Sequence, residues 1–112
     1  MRYAIVLGLL AGPCLADAPV VEEVSISGDR VTVTLSHPDT GWDHYADGWE
    51  VLDADGNSLG FRELLHPHVT EQPFARSLSG VRIPEGARSV FVRSRCNVDG
   101  WSEALFEVQL PE

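Results

Sequence analysis

Residues 30–36, which read RVTVTLS, alternate apolar and polar side chains with a strict period of two. The alternation recurs in residues 88–96 (RSVFVRSRC) and 102–110 (SEALFEVQL). A period of two places successive side chains on opposite faces of an extended chain, and β-branched residues suit such a half-buried surface. These runs therefore predict β-strands, and no long helical stripe of apolar residues accompanies them.

Turn signals divide the chain into seven predicted strands. Gly-Asp, Asp-Gly and Pro-Glu-Gly segments tolerate the backbone angles of tight turns. The acidic segment 53–57 (DADGN) is one such turn, because Ser58 and Leu64 stand where a calcium-binding loop needs Gly and Glu. The predicted fold is all-β, a seven-stranded antiparallel two-sheet sandwich. Its strands are 20–27, 30–36, 48–53, 57–64, 77–83, 88–96 and 102–110.

The first 16 residues have the features of a secretory signal peptide. A short positive start containing Arg2 precedes an apolar run at 4–10, and residues 14–16 (CLA) place small side chains before a predicted cut after Ala16. The apolar run is shorter than the roughly 20 residues that span a bilayer. We therefore predict an exported protein, located in the periplasm or secreted.

The predicted mature domain, residues 17–112, contains a single cysteine, Cys96. An internal disulfide is therefore excluded, and the fold has to rest on its apolar core. Pro13 separates the small residues of a lipoprotein-like signal from Cys14, so a lipid-modified start at Cys14 is the less favoured alternative.

The charge balance excludes some classes of partner. The 112 residues carry 8 basic side chains, all arginine, against 17 acidic ones, and the formal net charge is −9. Cleavage after Ala16 removes Arg2 and makes the domain one unit more negative. Nucleic acids and anionic membrane surfaces attract positive fields. We therefore expect no nucleic-acid partner, and no membrane association of the mature chain.

The predicted sandwich resembles immunoglobulin-like and fibronectin type III-like domains over residues 17–112. Trp49 on the third strand is similar to the buried strand-C tryptophan of immunoglobulin domains, although the second strand has no cysteine to pair with Cys96. Residues 41–49 (GWDHYADGW) and 66–78 (HPHVTEQPFARSL) also resemble segments of a small family of exported bacterial proteins. The resemblance implies export and fold, and it implies no chemistry.

Two long connections, residues 36–47 and 65–76, contain all four histidines. Alternate connections of a sandwich lie at the same end, so we expect both to meet residues 97–101 there. Cys96 ends the strand that leads to this end. Because related sandwiches carry binding loops at one end, a binding site is expected at this position.

The spacing of His66 and His68 predicts a metal site. Residues two apart in extended backbone face the same way, so both imidazoles can approach one ion. With His44 as a third nitrogen ligand and Glu71 as an oxygen ligand, the set suits zinc or copper. The alternative is that these histidines form loop hydrogen bonds or face water. Other side chains that could complete the site are Asp47 and Cys96.

The leading hypothesis is therefore a non-catalytic exported binding module with a histidine-based metal site. A second hypothesis is a protein- or glycan-interaction domain without metal, in which Trp42, Tyr45 and Arg76 contact the partner. The two aromatic side chains can instead plug the end of the sandwich together with Phe74, and Arg76 can instead pair with Glu71.

A third hypothesis is a metal-dependent hydrolase. It requires an open coordination position, a recessed pocket and a general base, for which the sequence offers Asp47 and Glu71. No nucleophile elbow, phosphate loop or dinucleotide fingerprint is present in the sequence. We therefore predict that the protein is not an enzyme.

Overall fold

The computed structural model describes residues 18–111, and the predicted signal peptide lies outside them. The described residues form strands and no helix, so none of their segments is a long apolar helix that could cross a membrane. The eight strands are β1 (Val20–Ser27), β2 (Arg30–Ser36), β3 (Ala46–Leu52), β4 (Ser58–Glu63), β5 (Phe74–Leu78), β6 (Ser89–Cys96), β7 (Gly100–Trp101) and β8 (Phe106–Gln109).

The strands form two antiparallel sheets, as the sequence predicts. One sheet has the order β1-β2-β5. The other has the order β4-β3-β6, and both β7 and β8 pair with the far edge of β6. The long strand β6 therefore lies at the centre of the second sheet and carries its end toward the histidine-bearing loops.

The prediction of seven strands is wrong, because an eighth, short strand, β7, precedes the last predicted strand, 102–110, of which only Phe106–Gln109 forms a strand. Strand β7 pairs with the last two residues of β6, and β8 pairs with its first four. Between them Ser102 donates its N–H to the carbonyl of Ser94 at 2.7 Å and its hydroxyl to the carbonyl of Ala104 at 3.0 Å. A hydroxyl that bonds the local backbone competes with the regular ladder, which accounts for the break.

Strand β5 (Phe74–Leu78) replaces the predicted strand 77–83, so it begins three residues earlier and ends five residues earlier than predicted. In the antiparallel register of β5 with β2, Phe74 lies opposite Leu35 and Leu78 opposite Val31. Gly80 follows with a φ of 80°, in the left-handed region that glycine favours, and takes the chain out of the ladder.

The core lies between the two sheets. Trp49 on β3 is fully buried, in agreement with its predicted position. The period-two pattern of β2 and β6 is visible in the structure, because every second side chain is buried and those between them are half-buried or exposed. The buried members of the core are Val31, Val33, Leu35, Ala46, Trp49, Val51, Leu64, Phe74, Val81, Val90, Val92 and Val108.

A buried hydroxyl links β6 to the start of the described chain. Ser94 Oγ donates a hydrogen bond of 2.6 Å to the carbonyl of Pro19, and both residues are buried. Because Ser94 lies within the central strand β6, the backbone just before β1 is held against the body of the domain.

Candidate metal centre

Three loops meet at one end of the sandwich, which we call the loop end: residues 37–45 after β2, 64–73 after β4 and 97–99 after β6. Asn97 donates to the carbonyl of Trp42 at 3.1 Å, which joins the third loop to the first. Asp39 accepts the N–H of His68 at 2.8 Å, which joins the first to the second. The prediction that these connections share one end is confirmed.

His37, His44 and Cys96 come together at the loop end and form what we call the His–Cys cluster. One ligand atom from each residue lies within 4.8 Å of the other two. Among residues 18–111, these three side chains are the ones that the structure places close enough together to share a metal ion. The rings of His37 and His44 meet edge to face, with centroids 4.8 Å apart.

Each member of the His–Cys cluster comes from a different structural position. Cys96 is the last residue of β6 and continues the inward-facing series of that strand, so its side chain is buried at the loop end. His37 follows the last residue of β2 directly. His44 is held by a tight turn in which its N–H donates to the carbonyl of Gly41 at 3.1 Å. The two strands thus bring the thiol and one imidazole together.

Asp39 is the structural centre of the loop end. Its Oδ1 accepts hydrogen bonds from His37 Nδ1 at 2.6 Å and from the N–H of Ala46 at 3.0 Å. Its Oδ2 accepts the N–H of His68. A carboxylate that holds Nδ1–H of a neutral imidazole leaves the Nε2 lone pair free, which is the arrangement of carboxylate–histidine–metal triads.

Asn97 holds the loop that carries His44. Its Oδ1 accepts the N–H of Tyr45 at 2.8 Å, and its Nδ2 donates to the carbonyls of Trp42 and Asp43 at 3.1 and 3.3 Å. The N–H of Asn97 also donates to the carbonyl of Tyr45 at 3.1 Å. Protein hydrogen bonds therefore fix the backbone on both sides of His44 relative to the neighbouring Cys96.

The Nε2 atoms of His37 and His44 are buried and have no hydrogen-bond partner. The His37 side chain is 0% exposed. A buried polar atom without a partner costs roughly 1–3 kcal/mol, so native structures seldom leave two beside each other. A cation shared by these two nitrogens and the neighbouring Cys96 would satisfy both.

The environment of Cys96 suits a bound cation. Burial is the main cause that raises the pKa of the Cys96 thiol above its usual value. A transition metal reverses this effect, because a coordinating thiol loses its proton. The N–H of Asp99 donates to Cys96 Sγ at 3.2 Å. The same residue's Oδ2 lies 3.6 Å from Sγ and 3.8 Å from His44 Nε2, so it is available as a fourth, oxygen ligand.

The separations in the His–Cys cluster fit one ion after small side-chain rotations. A tetrahedral ion with metal–nitrogen bonds of about 2.0 Å and a metal–sulfur bond of about 2.3 Å holds its ligand atoms about 3.3–3.5 Å apart. The longest separation, below 4.8 Å, therefore has to shorten by about 1 Å. Two imidazoles and one thiolate are a ligand set for zinc or copper.

The sequence-predicted ligands are divided between two places. His44 is in the His–Cys cluster, whereas His66, His68 and Glu71 do not join it within ligand distance. His66 and His68 do lie together, with ring centroids 4.7 Å apart. Glu71 is exposed, and its Oε1 lies 3.9 Å from Arg76 Nη2. Metal binding by the predicted set of four stays a prediction.

His68 has its own partners. Its ring stacks on Phe74 with centroids 3.8 Å apart, and its Nε2 accepts a hydrogen bond of 2.8 Å from Arg76 Nη2. Burial and the adjacent guanidinium lower the pKa of His68. Because a cation already occupies one ring nitrogen of His68, the ring is a poor ligand for a second cation.

The residues predicted to contact a partner differ in their exposure and in the protein contacts that they already make. Trp42 is 65% exposed and meets Tyr45 edge to face at 5.5 Å between centroids. Phe74 is buried in the core, so it plugs the sandwich. Arg76 donates to His68 and to the carbonyl of Ala75 at 2.6 Å, and it points across the loop toward Glu71.

Sequence reasoning missed His37 and Asp39 as parts of the site. The signal that could have found them is the tripeptide His37-Pro38-Asp39, directly after a strong alternating strand. A carboxylate two residues beyond a histidine at a strand end can bond its imidazole, as it does here at 2.6 Å.

Comparisons with known proteins identify a relative and a fold, and no family model matches the chain. A protein of the archaeon Halomicrobium mukohataei, named "Putative lipoprotein", is 47% identical over 91 residues. The alignment covers 78% of this chain and 44% of the relative, so the chain spans less than half the length of the curated relative that it matches.

The fold is similar to that of a solved structure, the crystal structure of a hypothetical protein from Pyrococcus horikoshii OT3. The TM-score is 0.50, with 23% sequence identity, over 92% of this chain and 96% of that chain. At this identity the likeness shows the fold alone. The chain is thus an all-β domain that shares its architecture with one archaeal protein and nearly half of its aligned residues with another.

Proposed function

We propose that this protein is an exported, non-catalytic β-sandwich module that binds a transition metal ion, zinc or copper, through His37, His44 and Cys96. The observation that carries the proposal is the pair of buried, unpartnered Nε2 atoms beside a buried thiol. Asp99 is the available fourth ligand, at 3.6 Å from the Cys96 sulfur. His44 is the ligand shared with the set proposed from sequence.

We also propose that the sandwich is of the immunoglobulin-like or fibronectin type III-like kind. In the sheets β1-β2-β5 and β4-β3-β6 with β7 and β8, the strands lie in an order compatible with an immunoglobulin-like or fibronectin type III-like domain. The buried Trp49 on β3 supports this assignment. Loops at one end of such sandwiches hold binding sites, which is where the His–Cys cluster lies.

Export is supported by the signal-like segment 1–16 and by the name of the Halomicrobium relative. The periplasm and the external medium are both compatible with it. Mass spectrometry of the exported protein tests the proposal: cleavage after Ala16 gives a chain that starts at Asp17. A diacylglycerol adduct on Cys14 would replace this processing with lipid anchoring.

A second candidate function is contact with a protein or glycan through the loop end without metal. The exposure of Trp42 favours it, since an exposed tryptophan beside a tyrosine is a common anchor of interfaces. Under this alternative a Trp42→Ala variant loses the partner, whereas removal of metal by a chelator changes nothing.

Metal titration of the chelator-treated, exported full chain tests the leading proposal. Co²⁺ serves as a spectroscopic substitute for zinc, because thiolate ligation gives it an intense charge-transfer band. We expect one equivalent of Co²⁺ to bind with that band, and Zn²⁺ to displace it. Cys96→Ser is expected to abolish the band, and His44→Ala to weaken binding by more than the ~10–100-fold typical of outer-shell substitutions.

His66→Ala is the matched control, because His66 is an exposed histidine of the same loop end outside the His–Cys cluster. It is expected to bind Co²⁺ like the unmodified chain. Circular dichroism shows whether each variant is folded. Binding that survives both Cys96→Ser and His44→Ala but is lost in His66→Ala would overturn the proposal in favour of the set predicted from sequence.

A further inference from the structure

We infer that the ion in the His–Cys cluster is copper and that it cycles between Cu(II) and Cu(I), so that the module carries single electrons. This inference rests on the proposed function and deepens it. It names the metal and the reaction of a site whose residues are His37, His44 and Cys96.

The ligand set is suited to both oxidation states of copper. Imidazole nitrogen binds Cu(II) well, and thiolate sulfur is a soft ligand that also stabilises Cu(I). Two histidines and one cysteine, with a weak fourth ligand, are the composition of copper sites that transfer electrons. Here the weak fourth ligand is Asp99, whose carboxylate lies 3.6–3.8 Å from two of the three ligand atoms.

The protein holds the ligands in place by contacts that do not involve the ion. His37 is fixed by the hydrogen bond of its Nδ1 to Asp39, and both side chains are 0% exposed. Cys96 is the end of a central strand, in register with Ala46. Once the side chains have rotated onto the ion, these contacts limit further movement of His37 and Cys96, so the coordination geometry changes little when the charge of the ion changes. A small rearrangement is what makes single-electron transfer fast.

The sulfur is also protected from oxidation. Two Cu(II) ions can oxidise two thiolates to a disulfide, with each copper taking one electron. Cys96 is fully buried and is the free cysteine of the described residues, so its sulfur cannot meet a second thiol without unfolding. The hydrogen bond from the N–H of Asp99 withdraws electron density from the sulfur, and such bonds tune the potentials of metal–thiolate sites.

Electrons reach the site through His44. The side chain of His44 is 22% exposed to solvent, whereas the side chain of His37 and all of Cys96 are 0% exposed. The cycle has two halves: Cu(II) takes one electron from an external one-electron donor to give Cu(I), and Cu(I) passes that electron to an external one-electron acceptor to return to Cu(II). No bond to the protein breaks, and no proton is transferred.

Titration of the exported full chain with Cu(II) under argon is the test, and Cys14→Ser is introduced so that Cys96 supplies the single thiol in every form of the protein. We expect an intense visible thiolate-to-copper charge-transfer band at one equivalent. Ascorbate should bleach it, ferricyanide should restore it, and repeated cycles should consume one electron per copper. Thiol counting after the cycles should still give one thiol per chain.

Cys96→Ser in the same background is expected to lose the band while remaining folded, and His66→Ala is expected to keep it. Two results would overturn the inference while the proposed metal binding stands. One is a thiolate band with Co²⁺ but none with Cu(II); the other is a copper band that bleaches once and cannot be restored. Loss of binding for both Co²⁺ and Cu(II) would instead overturn the proposed function itself.

Discussion

Oδ1 of Asp39 accepts a hydrogen bond of 2.6 Å from Nδ1 of His37, and both side chains are completely buried. The carboxylate also accepts two backbone N–H groups, those of Ala46 and His68. One side chain therefore joins the first loop to the start of β3, to the second loop and to a proposed metal ligand. The stability of the loop end and its metal affinity should depend on the same residue.

Asp39→Ala is expected to lower the free energy of unfolding by about 2–5 kcal/mol, because two buried N–H groups lose their acceptor. It should also weaken metal binding by about 10–100-fold, as the loss of an outer-shell carboxylate does. Urea unfolding and Co²⁺ titration measure the two effects. Asp43→Ala, an exposed acid in the same loop, is the control that should leave both values near those of the unmodified chain. If the Asp39→Ala variant bound Co²⁺ as tightly as the unmodified chain, the Asp39 carboxylate would not be required to position His37 for metal binding.

The stability of the protein should fall on mild acidification because of His68. Its pKa in the folded state lies below the unfolded value of 6.5, mainly through burial and then through Arg76. The unfolded chain therefore takes up a proton first. The contribution of His68 is complete above its unfolded pKa and is lost progressively as the pH falls toward its folded pKa.

Urea midpoints of the metal-free chain at about pH 7.5 and about pH 5.5 measure this loss. His68→Phe keeps an aromatic ring beside Phe74 but cannot titrate, so its midpoint should change less between the two pH values. His66→Ala removes an exposed histidine that contributes less to the lowered pKa of His68 than burial and Arg76 do, so it should keep most of the change. Equal pH dependence in the His68→Phe variant and the unmodified chain would contradict the assignment to His68.

The two tryptophans of the β2–β3 region should differ sharply in their effect on stability. Trp49→Ala empties a fully buried position and is expected to cost about 3–5 kcal/mol. Trp42→Ala removes an exposed ring that meets Tyr45 and should cost less than about 1.5 kcal/mol. Thermal or urea unfolding distinguishes them. If the Trp49→Ala variant does not fold, Trp49→Phe leaves a smaller cavity and can be measured instead. Comparable losses of stability for Trp42→Ala and Trp49→Ala would contradict the described burial.

Cys96 should react slowly with thiol reagents in the folded protein. Its sulfur is buried, and burial raises its pKa, so the reactive thiolate is scarce. Iodoacetamide labelling followed by mass spectrometry is expected to be slow in native buffer and to become complete in urea. Fast stoichiometric labelling of the native domain would show that the thiol is open to solvent, against the arrangement that the metal site requires.

The period-two strands could be predicted because each strand has one apolar face, which is a local property of the sequence. Strands β1 and β2 begin and end where the alternation predicts. The break between β7 and β8 could not be predicted in this way. It depends on the Ser102 hydroxyl and on the register with Ser94, and register is a property of paired strands.

The candidate site could be predicted as a region but not as a set of ligands. The rule that alternate connections lie at the same end of a sandwich predicts that His44 and Cys96 are near each other, and in the structure they are. The assignment of His68 as a ligand rested on its spacing from His66, yet Phe74 and Arg76 determine where the His68 ring lies. His37 reaches the site through its hydrogen bond to Asp39, and no local pattern specifies which atoms such a buried pair will face.

The link between Ser94 and Pro19 has a consequence for the order of events during secretion. Pro19 is the third residue after the predicted scissile bond, and its carbonyl accepts the hydrogen bond from Ser94 on the central strand β6. A peptidase must enclose several extended residues on both sides of the bond that it cuts. Under the proposed cleavage after Ala16, we therefore expect removal of the leader to precede folding of the domain, because a chain that folded first would shield this processing site.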